Sequence, residues 1–169
     1  MLAFASPTLA SASDEYKLKH LSLGANVGIY KIAEAPTKEL ELMDLINEYR
    51  FENGLRLLKE DMLLSSYAHK YAKEMADVDF FGHNSPVSGS SQERLRNALK
   101  NSNWTIAGEN LGCYYHDPKA IMEQFKLSPS HNENMLFVAY NTIGIAYYEN
   151  ERGFPFWVVE FARINYVEP

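Results

Sequence analysis

Two histidines and a glutamate lie in polar segments of the chain, next to glycine or proline. Residues 80–86 contain His83, residues 127–136 contain His131, and Glu109 lies between these two segments. Neutral imidazoles together with a carboxylate can bind a divalent transition metal ion. The same groups could instead act as general acid and base, since histidine titrates near neutral pH. Because these residues are far apart in the sequence, only the fold can bring them into one site.

Three serines lie close to these histidines in the sequence: Ser85, Ser128 and Ser130. A serine hydrolase also needs an orienting acid and an oxyanion hole, and the chain has no G-x-S-x-G motif. Ser-Pro pairs are typical of turns and helix starts, so we interpret these serines as structural. The remaining histidines are not predicted to be ligands: His20, His69 and His116.

The composition is that of an ordinary globular domain. The chain has 169 residues, of which 46% are apolar and 22% are charged, enough to bury one sizeable core. The net charge of −6 comes without a cluster of Lys or Arg, which argues against a nucleic-acid partner. No apolar run approaches the roughly 18 residues that a membrane-spanning helix needs. With Cys113 as its single cysteine, the chain cannot form an internal disulfide.

Helix signals dominate the first two thirds of the chain. Helix starts are predicted at four places: Thr37, Asp61, Ser90 with Glu93 as a capping box, and Asp117 with Pro118. Apolar residues then recur at helical spacing after the first two starts: Leu42, Leu45, Ile46 and Tyr49, then Leu64, Ala68, Tyr71, Ala72 and Met75. Gly54 stands where a helix C-cap belongs.

Strand signals dominate the last third. Residues 104–115, 142–148 and 154–164 are rich in β-branched and aromatic residues, and a polar loop with glycine joins the last two. Gly108 and Gly112 indicate a bulge or a close backbone approach in the first of these strands. Helices followed by strands predict an α+β domain with an antiparallel sheet rather than a βαβ repeat.

Several short motifs occur in an order and at a spacing typical of one known family. They are residues 45–58, the G-H-N-S-P of 82–86, the G-E-N-L of 108–111, the S-P-S-H…N-M-L of 128–136 and the I-G-I-A of 143–146. From about Leu40 to Ala162 the chain resembles the CAP superfamily (cysteine-rich secretory proteins, antigen 5 and pathogenesis-related 1). It looks most like the bacterial, cysteine-poor SCP-like branch.

The resemblance implies an α-β-α sandwich, with a small antiparallel sheet between helices. It also implies a cleft in which His83 and His131 could hold a metal ion such as zinc, with Glu109 as the candidate catalytic base or supporting partner. Three further residues are expected to line this cleft: Ser85, Asn110 and Ser128. Eukaryotic members carry a second glutamate, and Ser128 occupies its place here. Asn132 stands where the bacterial pattern has arginine.

For function, the resemblance implies a secreted or cell-surface protein whose cleft binds a small apolar ligand such as a lipid or sterol, a metal ion, or a host or cell-surface protein. The alternative is a metal-dependent, peptidase-like hydrolase using two histidines and Glu109, and catalysis is the less expected of the two. Residues 37–169 are predicted to form the CAP domain and residues 1–36 an N-terminal extension. Within that extension, residues 1–13 resemble the end of a signal peptide, with Ala10-Ser11-Ala12 as an A-x-A-like site.

Overall fold

The structure, a computed structural model, describes residues 37–166. The predicted extension, residues 1–36 with the signal-like segment 1–13, lies outside the described residues. The described part contains five helices: α1 (Lys38–Glu52), α2 (Met62–Val78), α3 (Ser91–Ala98), α4 (Pro118–Leu127) and α5 (Pro129–Leu136). It also contains six strands: β1 (Lys59–Glu60), β2 (Asn84–Ser85), β3 (Gly89–Ser90), β4 (Trp104–Cys113), β5 (Thr142–Glu149) and β6 (Pro155–Ile164).

The main sheet has four strands in the order β1-β5-β6-β4. The three long strands pair antiparallel, with β6 in the centre, as the sequence predicts. The sheet is nevertheless mixed, because the two-residue strand β1 pairs parallel with the start of β5. Strands β2 and β3 form a separate two-stranded hairpin, which the sequence analysis did not predict.

Helices cover both faces of this sheet. On one face α2 packs Ala68, Tyr71 and Met75 against the strands, and α3 packs beside it. On the other face α1 and α4 bury Ile46 and Phe125 against the aromatic and branched residues of β5 and β6. This arrangement confirms the expected α-β-α sandwich. Because strand side chains alternate between faces, neighbouring residues of one strand serve different helix layers.

The predicted helix starts are all observed. The side chains of Thr37, Asp61 and Asp117 each accept a hydrogen bond from a backbone N–H in the first turn of the helix that follows. Ser90 and Glu93 form the reciprocal capping box at the start of α3. Such side chains satisfy N–H groups that have no partner within the helix.

Residues 128–136 differ from expectation. His131 is expected in a polar segment next to proline, whereas the structure has helix α5 there. Pro129 fits the first turn of a helix, where its missing N–H costs nothing. The helix buries only Met135 completely, so its sequence carries almost no apolar periodicity to reveal it.

The strand glycines mark close approaches, as predicted. A Cβ at Gly108 would collide with the hydroxyl of Tyr140, and one at Gly112 with the side chain of Ile121. The irregularity of β4 lies elsewhere, between Trp104 and Ile106. The two glycines therefore let helices and loops of one layer lie directly on the backbone of β4.

Candidate functional site

Strand β4 is the edge strand on which the candidate site is built. It pairs with β6 on one side only, in a register that sets Glu109 opposite Glu160 and Asn110 opposite Val159. The side chain of Glu109 lies on the α2–α3 side of the sheet, with Arg94 of α3. The side chain of Asn110 lies on the α4–α5 side, with α5.

Glu109 is a buried carboxylate with both oxygens engaged. Its side chain is 2% exposed. Oε1 lies 2.7 Å from Nδ1 of His83, and Oε2 accepts a hydrogen bond of 2.6 Å from Nη2 of Arg94. A charge that leaves water needs an opposite charge and hydrogen bonds to offset its desolvation. Arg94 and His83 supply both.

Arg94 also fixes the loop that carries His83. Its Nη1 donates to the carbonyl oxygens of His83 (3.0 Å) and Gly89 (2.7 Å). Its guanidinium carbon lies 3.3 Å from the centre of the Tyr71 ring, and the Tyr71 hydroxyl donates to the carbonyl of Gly82. A planar fork of donors over an aromatic face holds a loop more rigidly than a lysine could. The position of His83 is therefore set by α2, α3 and β4 together.

A second acidic residue, Glu160, lies beside Glu109 and is 2% exposed. Burial raises its pKa well above the usual value, and the charge of Glu109 and a hydrogen bond with its carboxylate act in the same direction. Arg94 opposes this shift without cancelling it. Glu160 thus favours the neutral carboxylic acid.

His131 is placed by neutral hydrogen bonds on the other side of β4. Asn110, fully buried, donates through Nδ2 to the carbonyl of His131 at 3.0 Å and accepts from Nδ2 of Asn134 at 2.9 Å. The ring of His131 packs edge-on against Phe125, with 5.1 Å between ring centres. Burial lowers the pKa of His131, and the charge of nearby His83 lowers it further. Its imidazole therefore favours the neutral form that metal ions bind.

The other predicted cleft residues have structural partners. Ser85 donates to Glu74 and accepts from the backbone N–H groups of Val87 (2.9 Å) and Ser88 (3.0 Å), so it organises the turn after His83. Ser128 joins α4 to α5, and its hydroxyl lies 3.4 Å from that of Ser130. None of these contacts makes a serine–histidine pair.

The remaining histidines and Asn132 lie outside this arrangement. His69 is exposed and lies 3.8 Å from Glu39. His116 is exposed as well and contacts Tyr147 (2.9 Å) and Glu149 (3.3 Å). Asn132 accepts a hydrogen bond of 3.0 Å from the hydroxyl of Tyr49, which ties α5 to α1.

Of the two histidines near β4, the ring of His83 contacts the carboxylate of Glu109 and the ring of His131 packs on Phe125. Within residues 37–166 no group of three His, Cys, Asp or Glu side chains is arranged to hold a metal ion. His83 is half exposed, at 49%, and uses Nδ1 for Glu109, which leaves Nε2 for a ligand. Imidazole nitrogens suit Zn²⁺, Cu²⁺ and Ni²⁺.

Two residues of this network are not predicted from the sequence: Arg94 and Glu160. Arg94 lies in the first turns of α3, directly after a recognised capping box, and nothing in its spacing distinguishes it from a solvated arginine. Glu160 did carry a signal, since it is the one acidic residue in a strand whose neighbours are all buried. A charged residue inside an apolar strand predicts a buried partner.

Comparison with known proteins agrees with this fold. Residues 43–161 match the model of the cysteine-rich secretory protein family, CAP. The chain belongs to this family. That match covers more than half of the chain and includes the segments of both histidines and Glu109.

Two curated relatives come from Bacillus subtilis. The uncharacterized protein YkwD is 29% identical over 112 residues, which are 66% of this chain and 43% of YkwD. The uncharacterized membrane protein YlbC is 29% identical over 109 residues, or 64% of this chain and 31% of YlbC. This chain therefore spans less than half the length of either relative.

Solved structures show the same CAP fold. An extracellular protein with an SCP domain from Bacillus anthracis is 27% identical, has a TM-score of 0.67, and is matched over 75% of this chain and 40% of its own. An outer surface protein of Borrelia burgdorferi has a TM-score of 0.66 at 21% identity, over 74% of this chain and 91% of its own. No helix within residues 37–166 is both long and apolar enough to cross a membrane.

Proposed function

We propose that this CAP domain is a binding domain in which His83 and His131 together bind one divalent transition metal ion. The observation that carries the proposal is the 2.7 Å contact between Nδ1 of His83 and Oε1 of the buried Glu109. Metal-binding histidines characteristically hold a carboxylate or carbonyl with their second ring nitrogen, which fixes the ring and its tautomer. His83 has such a partner, and its ring is half exposed.

His131 completes the pair. Its lowered pKa keeps the imidazole neutral at neutral pH, and the mutual effect of the two histidines supports their proximity. Two protein ligands leave positions on the ion for water or for a ligand from outside. In this proposal Glu109 is a positioning residue, because its oxygens are occupied by His83 and Arg94.

The alternative of a metal-dependent hydrolase is the weaker candidate. A catalytic zinc site uses about three protein ligands and an open position, and the described residues offer no such group of three. A carboxylate that activates water must also reach that water. Glu109 is 2% exposed and already holds two partners, so it is poorly placed for this role.

We further propose that the domain acts outside the cell. Support comes from the Bacillus anthracis protein, which is described as extracellular and shares the SCP domain at 27% identity. Export of this chain, and its binding of a lipid, a sterol or a host or cell-surface protein, are predictions. The metal proposal does not depend on them.

The proposal is tested by calorimetric titration with Zn²⁺ at about pH 7.5, which lies above the usual pKa of histidine. The wild type is compared with His83→Ala, His131→Ala and the double variant. His69→Ala and His116→Ala serve as matched controls, since both remove an exposed histidine elsewhere.

We expect one zinc site in the wild type and both controls. Each single site variant should weaken binding at least about tenfold, and the double variant should not bind. Equal heats in all of these proteins, or no heat in the wild type, would overturn the metal proposal.

A further inference from the structure

One edge of the main sheet is only partly paired. Strand β1 pairs with Thr142 and Ile143 at the start of β5, and no described strand lies on that side of β5 beyond Ile143. Strand β1 ends there because Asp61 turns the chain into α2, where its carbonyl oxygen accepts from the N–H of Ser65. The remaining part of β5, residues 144–149, therefore has an open edge on this side.

The backbone of Ile145 points to this open edge. In an antiparallel pair, alternate residues direct their N–H and C=O groups away from the partner strand. On β5 these include Ile143, whose carbonyl accepts from Asp61 (2.9 Å), and Tyr147, whose N–H donates to the side chain of Glu39 (3.3 Å). Ile145 lies between them, is 5% exposed, and pairs with no described strand on that side. Buried backbone groups are nearly always paired, so this edge indicates an occupant that is itself an extended chain.

A groove of ≈ 480 Å³ lies along the same edge, between α1 and α2. Ile143 and Ile145 line it from the sheet, Leu40 and Met43 from α1, and Met62 from α2. A strand placed here is covered by a helix on each face. Such strands are apolar along their whole length rather than on alternate residues.

The chain itself enters the described structure at this groove. Thr37, the first described residue, lines the groove, and Lys38 lies beside Tyr147 with a hydrogen bond of 2.9 Å. Helix α1 then runs back toward the start of β5, where Asn47 exchanges hydrogen bonds with Leu58, the residue before β1. A segment that filled the groove and continued into α1 would therefore run parallel to β5, as β1 does.

The sequence just before α1 suits such a strand. Residues 27–32 read Val-Gly-Ile-Tyr-Lys-Ile and are mostly β-branched and aromatic. Only residues 33–36 separate them from the N-cap of α1, a usual length for the loop between a strand and a helix. Lys31 carries a charge opposite to that of Glu39 and Glu60, which both line the groove. Length, composition and charge thus fit this segment to the groove.

We propose that residues 27–32 of this chain occupy the groove as a further strand of the main sheet, parallel to β5 and hydrogen-bonded to Ile145. This strand continues the line of β1 and covers an edge on which another chain could otherwise pair. It lies at the opposite edge of the sheet from β4. The proposal is therefore independent of the metal site.

Amide hydrogen exchange of the full chain, followed by two-dimensional ¹H–¹⁵N NMR, tests the pairing. The N–H of Ile145 should exchange slowly in the wild type, and Ile29→Asp should accelerate it at least about tenfold, because a charge is costly between apolar walls. Ser22→Asp adds the same charge outside the segment and should leave the rate unchanged. The N–H of Ala146 faces β6 and should keep its rate in both variants, which separates local release from a loss of overall stability.

Two equally exposed leucines test the groove itself. Leu40 and Leu63 are each 40% exposed and lie in the first turns of α1 and α2, and of the two only Leu40 lines the groove. Leu40→Asp should accelerate the exchange of Ile145 at least about tenfold. Leu63→Asp should leave it unchanged.

A spin label locates the segment. Met62 is exposed and lines the groove, so a label on Met62→Cys in a Cys113→Ser background should broaden the signals of residues 27–32. The same label on Leu127→Cys, exposed at the end of α4 and outside the groove, should not. A mixture of spin-labelled protein and separate ¹⁵N-labelled protein should show no broadening, because the contact lies within one chain.

Four results would overturn the proposal. They are fast exchange of Ile145 in the wild type, equal rates in Ile29→Asp and Ser22→Asp, equal rates in the two leucine variants, and no broadening from the label at Met62. Broadening in the mixed sample, or exchange of Ile145 that slows as protein concentration rises, would assign the groove to a second copy of the chain and would overturn it as well.

Discussion

The two sides of strand β4 hold the candidate site by different means. On the α2–α3 side Glu109 is held by the cation of Arg94 at 2.6 Å and by a hydrogen bond with His83 at 2.7 Å. On the α4–α5 side its neighbour Asn110 is held by neutral amide hydrogen bonds to α5. Glu109 thus positions His83 within a charged network, whereas the adjacent Asn110 positions His131 through neutral hydrogen bonds.

The difference lies in what each side leaves unpaired. The side chain of Asn110 has partners for its donor and its acceptor, and it is fully buried. On the charged side Arg94 Nε and Glu160 Oε2 have no partner among the described residues. A fully paired neutral network stabilises the fold, whereas buried charged groups without a partner are costly to keep in the interior. The proposed metal site takes one histidine from each side, His83 and His131.

The largest effect is expected from Arg94→Ala. The substitution leaves the buried carboxylate of Glu109 without its cation, and breaking such a pair costs about 3–5 kcal/mol of unfolding free energy. Urea unfolding followed by circular dichroism measures it. Arg94→Lys should recover only part of the loss, since lysine lacks the fork that also reaches the carbonyl of Gly89. A loss below about 1 kcal/mol would show that the pairing of Arg94 with Glu109 contributes little to the free energy of unfolding.

The next effect is expected from Asn110→Ala on the neutral side. It removes the side-chain donor to the carbonyl of His131 and one of the two acceptors of the Asn134 amide. Loss of partners for buried polar groups costs about 1–3 kcal/mol. The same unfolding experiment measures it, with the exposed Asn101→Ala as control. If Asn110→Ala lowers the free energy of unfolding more than Arg94→Ala does, the neutral side contributes more to stability than the charged side. That result would contradict the comparison.

A gain in stability at neutral pH is expected from Glu160→Gln. The pKa of Glu160 is raised on folding, so the unfolded chain loses this proton at lower pH than the folded protein does. Folding then binds a proton, and stability falls as pH rises from the unfolded pKa, about 4.5, to the folded one. Glutamine does not ionise, so the variant should lack this decline. Thermal melts between pH 4 and 8 compare the two slopes, and equal slopes would contradict a neutral Glu160.

The smallest effect on stability is expected from His83→Ala. Its ring is 49% exposed, and ion pairs open to water contribute about 1 kcal/mol at most. Glu109 keeps Arg94 in this variant. Urea unfolding should therefore place His83→Ala within about 1 kcal/mol of wild type, and a larger loss would make His83 part of the scaffold rather than a residue free to bind.

Much of the fold is readable from the sequence because its signals are local. The capping residues Thr37, Asp61, Ser90 and Asp117 act within one turn, and the helix boundaries follow from them. The long strands follow from composition and the glycine-containing loop. Strand β1 and helix α5 were missed, because the first has two residues and the second buries only Met135. Their structure depends on tertiary contacts rather than on pattern.

The candidate site, like the fold, is predictable from the sequence only in part. His83, Glu109 and His131 stand out by residue type and motif, and the structure places Glu109 in contact with His83. Arg94 was not predictable, because its pairing with Glu109 across 15 positions depends on how α3 packs on the sheet. The pairing of Glu109 with Glu160 likewise depends on the register of β4 on β6. Such cross-element contacts leave no local trace in a single sequence.

The most direct test of the account is the zinc affinity of Glu109→Gln, compared with His83→Ala in the same calorimetric titration. If Glu109 positions His83 without touching the ion, Glu109→Gln should weaken binding by about 10–100-fold and leave one site. His83→Ala should weaken it further. If Glu109→Gln, shown to be folded, abolishes binding as completely as the double histidine variant, Glu109 is itself a ligand and the account is wrong. Unchanged affinity would contradict it equally, because the 2.7 Å contact would then have no bearing on the ion.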